Sequence, residues 1–141
     1  MAFDIGSARP SQFPAILNFW EAATELPSAT DDLPGLSALW ERDPDAFVIA
    51  SVEGDIVGTL LAAWDGWRGA FYRLAVHPDY RRHGLGRSLV AEGERRLRQR
   101  GVRRINLYVV EAHPAAMGFW PALGYLLDAE EVRFVKNVTP E

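Results

Sequence analysis

The chain contains no cysteine. That absence excludes disulfides, thiolate nucleophiles, thiol redox chemistry and cysteine metal sites together. Histidine is scarce. His77, His83 and His113 do not have the i, i+4 spacing of a helical metal site, so no metal centre is expected, although carboxylate sites stay open. Lysine is almost missing: Lys136 is one cation among fifteen and the rest are arginine. No run approaches the ~18 consecutive apolar residues of a membrane-spanning helix. Met1 to Ile5 shows neither a basic start nor a long apolar stretch. No signal peptide and no membrane contact are therefore expected, and the expected location is the cytoplasm.

What is present is a globular composition. Of 141 residues, 48% are hydrophobic and 24% charged, enough for one domain over 1–141 with a sizeable core. The net charge of −4 hides an asymmetry. Residues 1–70 carry three Arg against eleven Asp and Glu, whereas residues 81–104 carry nine Arg against two Glu. Arginine grips phosphate oxygens bidentately. The basic segment thus reads either as a polyphosphate site or as a solvated helix face with ion pairs.

Periodicity orders the elements. A short strand over Phe3 to Ala8 precedes a helix from Pro10 and Ser11 to about Ala23, with Phe13, Ile16, Leu17, Trp20 and Ala23 at helical spacing. A loop over 24–35 leads to a second helix, Gly35 to Arg42. Strands follow at Ala46 to Val52, Ile56 to Trp64 and Ala70 to Val76, joined by short turns and hence antiparallel neighbours. A helix from Leu85 to Gln99 has Leu85, Leu89, Val90, Gly93 and Leu97 on one face, with Glu92–Arg96 and Glu94–Arg98 as i, i+4 pairs. Ile105 to Val110 is a strand parallel to the one ending at Val76. A helix from Pro114 to Leu123 and a last strand, Val132 to Val138, complete an α/β (α+β) order, β-α-α-β-β-β-α-β-α-β. This predicts a mixed central sheet of about six strands with helices on both faces.

The strand–loop–helix over 71–99 carries the chemistry. A helix N-terminus offers unpaired N–H groups and a partial positive charge. Gly84 and Gly86 permit close approach to that backbone, and Arg81, Arg82 and Arg87 surround it, so the spot is built for an anion with several phosphate oxygens. The nucleotide loop G-x-x-x-x-G-K-[ST] is absent. Gly84-x-Gly86 is only a partial dinucleotide fingerprint, because Leu89 stands at its third glycine and the loop from Val76 to Gly84 is too long for its tight turn.

The longer string Leu74-x-Val76-x-Pro78-x-x-Arg81-x-x-Gly84-x-Gly86 resembles the acetyl-CoA-binding motif of the GNAT superfamily of N-acetyltransferases. Ala116-x-x-Phe119-Trp120-x-x-x-Gly124-Tyr125 is similar to a second stretch of that family. The turn Asp65-Gly66-Trp67-Arg68-Gly69 is similar to a D-G-x-R-G turn in an uncharacterised bacterial subgroup. The resemblance implies the GNAT fold, acetyl-CoA as acyl donor, no metal, and direct attack by an amine in a ternary complex. Under it, backbone N–H groups from Arg82 through His83, Gly84, Leu85 and Gly86 to Arg87, with Ser88 beside them, hold the pyrophosphate. Leu74, Ala75 and Val76 pair with the pantetheine arm like an added strand. The strands carrying Val76 and Val109 splay apart to admit that arm. The N–H of Leu74 polarises the thioester carbonyl. His113 takes a position where the family often has an Asn touching that arm, and Phe119 is a core residue that can also touch CoA.

Two positions depart from the family pattern. The frequent general acid, a Tyr, is here Trp120, and an indole N–H cannot act as an acid. Tyr108 and Tyr125 are the replacement candidates, or the thiolate leaves unassisted. The usual Glu near the start of the strand at Ala70 is also missing. Glu111 is the nearest candidate base, ahead of Asp65 and Glu21, and a water chain is the alternative. Glu21, Glu25, Asp31 and Asp32 with Trp20, Trp40, Trp64 and Trp67 suit a cationic small-molecule or peptide amine, whereas Arg68 and Arg73 would suit a carboxylate. Competing readings are a non-catalytic acyl-CoA-binding or sensing module and, less favoured, a nucleic-acid-binding protein using the 81–104 arginines. The oligomeric state stays open, a homodimer included.

Overall fold

Alternating apolar residues build a mixed sheet in the order β1-β2-β3-β4-β5. The computed structural model describes residues 2–23, 28–109 and 114–141. It comprises two compact units, Met1–Leu107 and Tyr108–Glu141. The first holds the sheet: β1 (Asp4–Ser7), β2 (Phe47–Val52), β3 (Asp55–Trp64), β4 (Gly69–Val76) and β5 (Ile105–Asn106). The first four are antiparallel neighbours, and β4 pairs β5 in parallel. Between β1 and β2 run α1 (Phe13–Ala23) and α2 (Leu33–Arg42), and α3 (Leu85–Gln99) connects β4 to β5. The second unit contains α4 (Pro114–Ala122).

Each helix begins where its sequence allows. A single 3-10 turn, Pro10–Gln12, leads into α1. The α2 helix starts two residues before the expected Gly35. The Asp32 carboxylate accepts the Gly35 N–H at 2.8 Å, and Pro34 sits in the first turn, where no N–H is needed.

Side-chain parity sends Phe47, Ile49 and Leu61 to one face, where they pack with Phe13, Ile16, Phe19, Trp20 and Leu36 of α1 and α2. The other face takes α3. It packs so closely there that a Cβ on Gly58 would lie 2.5 Å from Leu85 and one on Gly93 would lie 2.7 Å from Leu60. Glycine at these contacts lets helix and sheet approach without a collision.

One irregularity breaks the parity of β4. Leu61 pairs with Tyr72 and Thr59 with Ala75, so Leu60 alone faces Arg73 and Leu74. This β-bulge puts Phe71 against α3 but Ala75 in the α1/α2 core. Arg73 is its left-handed residue, with φ 55.

Two expectations are corrected. The strand from Ile105 spans two residues rather than reaching Val110, and Val110 itself lies outside the described residues. The strand over Val132–Val138 does not form: residues 131–141 carry no regular structure, and Val132, Phe134 and Val138 are exposed. The sheet therefore has five strands, not six. Period-two alternation states only which face a residue would take in a strand; the strand exists through a ladder, and this segment has none.

Candidate active site

The loop after β4 begins with the His77 N–H bonded to the Val57 carbonyl at 2.8 Å. A 3-10 turn over Pro78–Tyr80 follows, in which the His77 Nδ1 accepts the Asp79 N–H at 3.1 Å. The chain then passes through two left-handed residues, Arg82 at φ 66 and Gly84 at φ 78. Gly84 is the N-cap of α3, and no side chain caps the helix there. Ser88 makes the first helical bond, its N–H to the Gly84 carbonyl at 3.0 Å. The N–H groups of Leu85, Gly86 and Arg87 thus precede the first intrahelical bond. A Cβ on Gly84 would meet nothing within 4 Å, so the space above this helix end is open.

The expected phosphate-binding residues divide by orientation. Arg81, Arg82, His83, Gly84 and Arg87 are exposed, and Gly86 and Ser88 are half-buried. Leu85 is buried beneath them, so only its backbone is available to a ligand. Arg81 is partly occupied within the fold, since its Nε donates to the Val76 carbonyl at 3.2 Å and ties the loop to the end of β4. Arg82 and Arg87 have no ion-pair partner among the described residues.

Four arginines further along the segment, Arg95, Arg96, Arg98 and Arg100, form ion pairs. Glu92 binds Arg95 at 2.6 Å and Arg96 at 2.8 Å, and Arg98 lies 3.8 Å from Glu94. Arg100 forms a two-pronged bond with the buried Asp43, at 2.8 and 2.7 Å. The ion-pair reading of the basic segment therefore holds along α3, and the start of that helix keeps an exposed cationic rim.

On β4 the parallel ladder covers only Gly69↔Ile105 and Ala70↔Asn106. Beyond Ala70 that edge of the strand has no ladder partner among the described residues, and this is the stretch carrying Leu74, Ala75 and Val76. Leu74 and Val76 are half-buried, while the Ala75 side chain points into the core.

The candidates for proton transfer fare unequally. Asp65 accepts the N–H groups of Arg68 and Trp67 at 2.7 and 2.8 Å, and those bonds hold its carboxyl below its ordinary range. It is a turn-capping residue and a poor base. Glu21 is exposed on α1, whereas Glu25, Glu111 and His113 lie outside the described residues. In the second unit Tyr108 is exposed, with the Arg133 guanidinium 5.1 Å from its ring centre. Trp120 is buried between Phe119 at 5.0 Å and Tyr125 at 5.1 Å, both edge-on. The indole at the usual acid position is thus a packing residue of that unit.

The presumed acceptor-facing acids are also partly committed. Asp32 caps α2, and Asp31 binds Arg73 through two bonds, at 3.0 and 2.6 Å. Sequence reasoning assigned these two charges to opposite kinds of substrate; in the fold they neutralise each other. The available signal was the break in alternation at Arg73-Leu74-Ala75-Val76, where three apolar residues follow one another.

A five-stranded mixed sheet whose fourth strand leads into an uncapped helix start is an architecture shared with known proteins. Residues 13–125 match the model of the acetyltransferase (GNAT) family, and the chain belongs to that family. It is 36% identical over 117 residues to an acetyltransferase of Pectobacterium atrosepticum, covering 83% of each chain. Among solved structures it is similar to the PaiA N-acetyltransferase of Thermoplasma acidophilum, solved in complex with coenzyme A. That match has TM-score 0.78 and 16% identity and covers 91% of this chain and 92% of that one. It is also similar to AAC(6')-Iy, solved with a bisubstrate analogue, CoA-S-monomethyl-acetylneamine. There the TM-score is 0.77 and the identity 16%, covering 99% of this chain and all of that one. No helix among the described residues is long and apolar enough to cross a membrane.

Proposed function

We propose that the protein transfers an acetyl group from acetyl-CoA to a primary amine by direct attack in a ternary complex. The observation that carries this reading is the start of α3, uncapped by any side chain, opened by a left-handed Gly84 and flanked by exposed Arg82 and Arg87. Four kinds of group there suit a pyrophosphate: orphan N–H donors, the helix dipole, two guanidiniums, and space where a Cβ would stand. The edge of β4, without a ladder partner beyond Ala70 among the described residues, offers the Leu74–Val76 backbone to the amide-bearing arm of CoA. The N–H of Leu74 is the donor to the thioester oxygen, whose negative charge grows as the amine attacks. The thioester supplies an activated acyl group, so direct attack requires no acyl-enzyme, and the absence of cysteine fits this. Tyr108 and Tyr125 are the candidate acids, Glu111 the candidate base, and His113 and Phe119 further CoA contacts. The similarity to AAC(6')-Iy, solved with a CoA–amine conjugate, supports an amine acceptor.

Calorimetric titration with acetyl-CoA and with CoA at two salt concentrations tests the binding half. Micromolar affinity that weakens with salt is expected. Gly84→Glu places a carboxylate against the phosphates and should abolish binding while circular dichroism shows the fold retained. Unchanged affinity in that folded variant removes the phosphate assignment. The burial of Trp120 favours one other reading, an acyl-CoA-binding module without catalysis. Tight binding with no turnover across a panel of primary amines selects it.

A further inference from the structure

The Arg73–Leu74 peptide is held from three directions. The Arg73 carbonyl accepts the Thr59 hydroxyl at 2.8 Å, and the same oxygen of Thr59 accepts the Trp20 indole N–H at 2.8 Å. Thr59 is 1% exposed, so this relay is dry. The Arg73 guanidinium is gripped by both Asp31 oxygens and lies 5.9 Å from the Trp20 ring centre. Helix α1, the segment before α2 and strand β3 therefore converge on one residue, and that residue has φ 55. A bulge position with this geometry ordinarily takes glycine, because an L side chain is strained there. An arginine persists in it when its surroundings leave no alternative.

The consequence lies one atom further along. In a trans peptide the carbonyl of one residue and the N–H of the next point in opposite directions. The Thr59 hydroxyl on β3 draws the Arg73 oxygen towards β3. Leu74, which has no partner residue in the β3–β4 register, thereby has its N–H turned towards the edge of β4 that lacks a ladder partner beyond Ala70 among the described residues. We propose that Thr59, supported by Trp20, and Asp31, acting through Arg73, are positioning residues that aim the Leu74 N–H at the acyl carbonyl. None of them touches the acyl group. This rests on the acetyl-CoA reading of the site, and it adds a reason why Arg73 and Asp31 are not the groups that select the acceptor: their charges are used on each other.

The test reads the carbonyl itself. Acetyl-CoA labelled with carbon-13 at the thioester carbon is bound to the full chain, and its stretching band is recorded by infrared difference spectroscopy, with affinity measured in parallel by calorimetry. In the unaltered protein the bound band should move to lower frequency. Thr59→Val should remove that movement while acetyl-CoA affinity stays within about twofold, because the phosphate contacts lie elsewhere. Thr59→Ser, which keeps the hydroxyl, should restore it. Asp31→Ala, a change outside the sheet, should reduce the movement if Thr59→Val proves too unstable to purify. A band that stays shifted in Thr59→Val or, where that variant is unobtainable, in Asp31→Ala overturns the proposal and leaves the binding reading intact. An unshifted band in the bound, unaltered protein overturns it as well. Absence of acetyl-CoA binding in the unaltered protein overturns the functional reading and this inference with it.

Discussion

Asp43 shows how far one buried charge can matter. It is 4% exposed, at the junction of α2 and β2, and its two oxygens are matched to the two terminal nitrogens of Arg100. Arg100 also reaches Asp45 at 3.2 Å and lies 4.9 Å from the Trp64 ring centre, and Asp43 raises its pKa. Replacing the carboxylate leaves a guanidinium without its main counter-charge in a half-buried place. Asp43→Asn should therefore cost about 3 kcal/mol of stability. Chemical denaturation should show the midpoint falling with the slope unchanged. The exposed pair Arg98–Glu94, 3.8 Å apart, should contribute little when either partner is replaced.

Helix α3 joins an open end and a packed face in one element. Its first turn is uncapped and open, its buried stripe of Leu85, Leu89, Val90, Gly93 and Leu97 meets the sheet, and its outer face is tied by arginines. Both Arg95 and Arg96 hydrogen-bond Glu92, and this holds its carboxyl at about 2, down from 4.5. The unfolded chain thus takes up this proton at higher pH than the folded chain does. The stabilisation from the cluster is complete above pH 4.5 and is lost as pH falls from 4.5 towards about 2. After solvent screening it is on the order of 2 kcal/mol. Glu92→Gln should lower stability at neutral pH and flatten its decline in that acid window, as thermal melts at a series of pH values will show.

The helix was legible from the sequence because its stripe, its glycine contact and its i, i+4 pairs all obey one period. The bulge in β4 was not. Phe71 and Ala75 share a parity along the chain and lie on opposite faces, and only the pairing with β3 shows the extra residue between them. The candidate site was legible to the same extent. Gly84 and its neighbouring arginines follow from local spacing, whereas Asp31 and Arg73 lie 42 residues apart and meet only in the fold.

Over the whole molecule, the charge asymmetry of the sequence is partly folded away. Arg95 binds Glu92 within α3, Arg96 and Arg100 bind carbonyls or acids of residues 43–47, and Arg73 binds Asp31. The cations without ion pairs at the start of α3 are too few, on a chain of net charge −4, for extended phosphate-backbone binding. No retardation of a DNA duplex is expected in gel-shift experiments at about 0.15 M salt. Salt-sensitive binding of DNA in the absence of CoA would contradict this assignment of the arginines.

The sequence by itself determined which segments become helices, which glycine opens the start of α3 and which family the chain resembles. Each of these depends on residues within a few positions of one another, where spacing and backbone preference act directly. The tertiary structure alone decided the strand count, the commitment of Asp31, Asp43 and Asp65 to structural partners, and the bulge in β4. Ladders, ion pairs and register are properties of two segments together, and a pattern along one segment does not contain its partner.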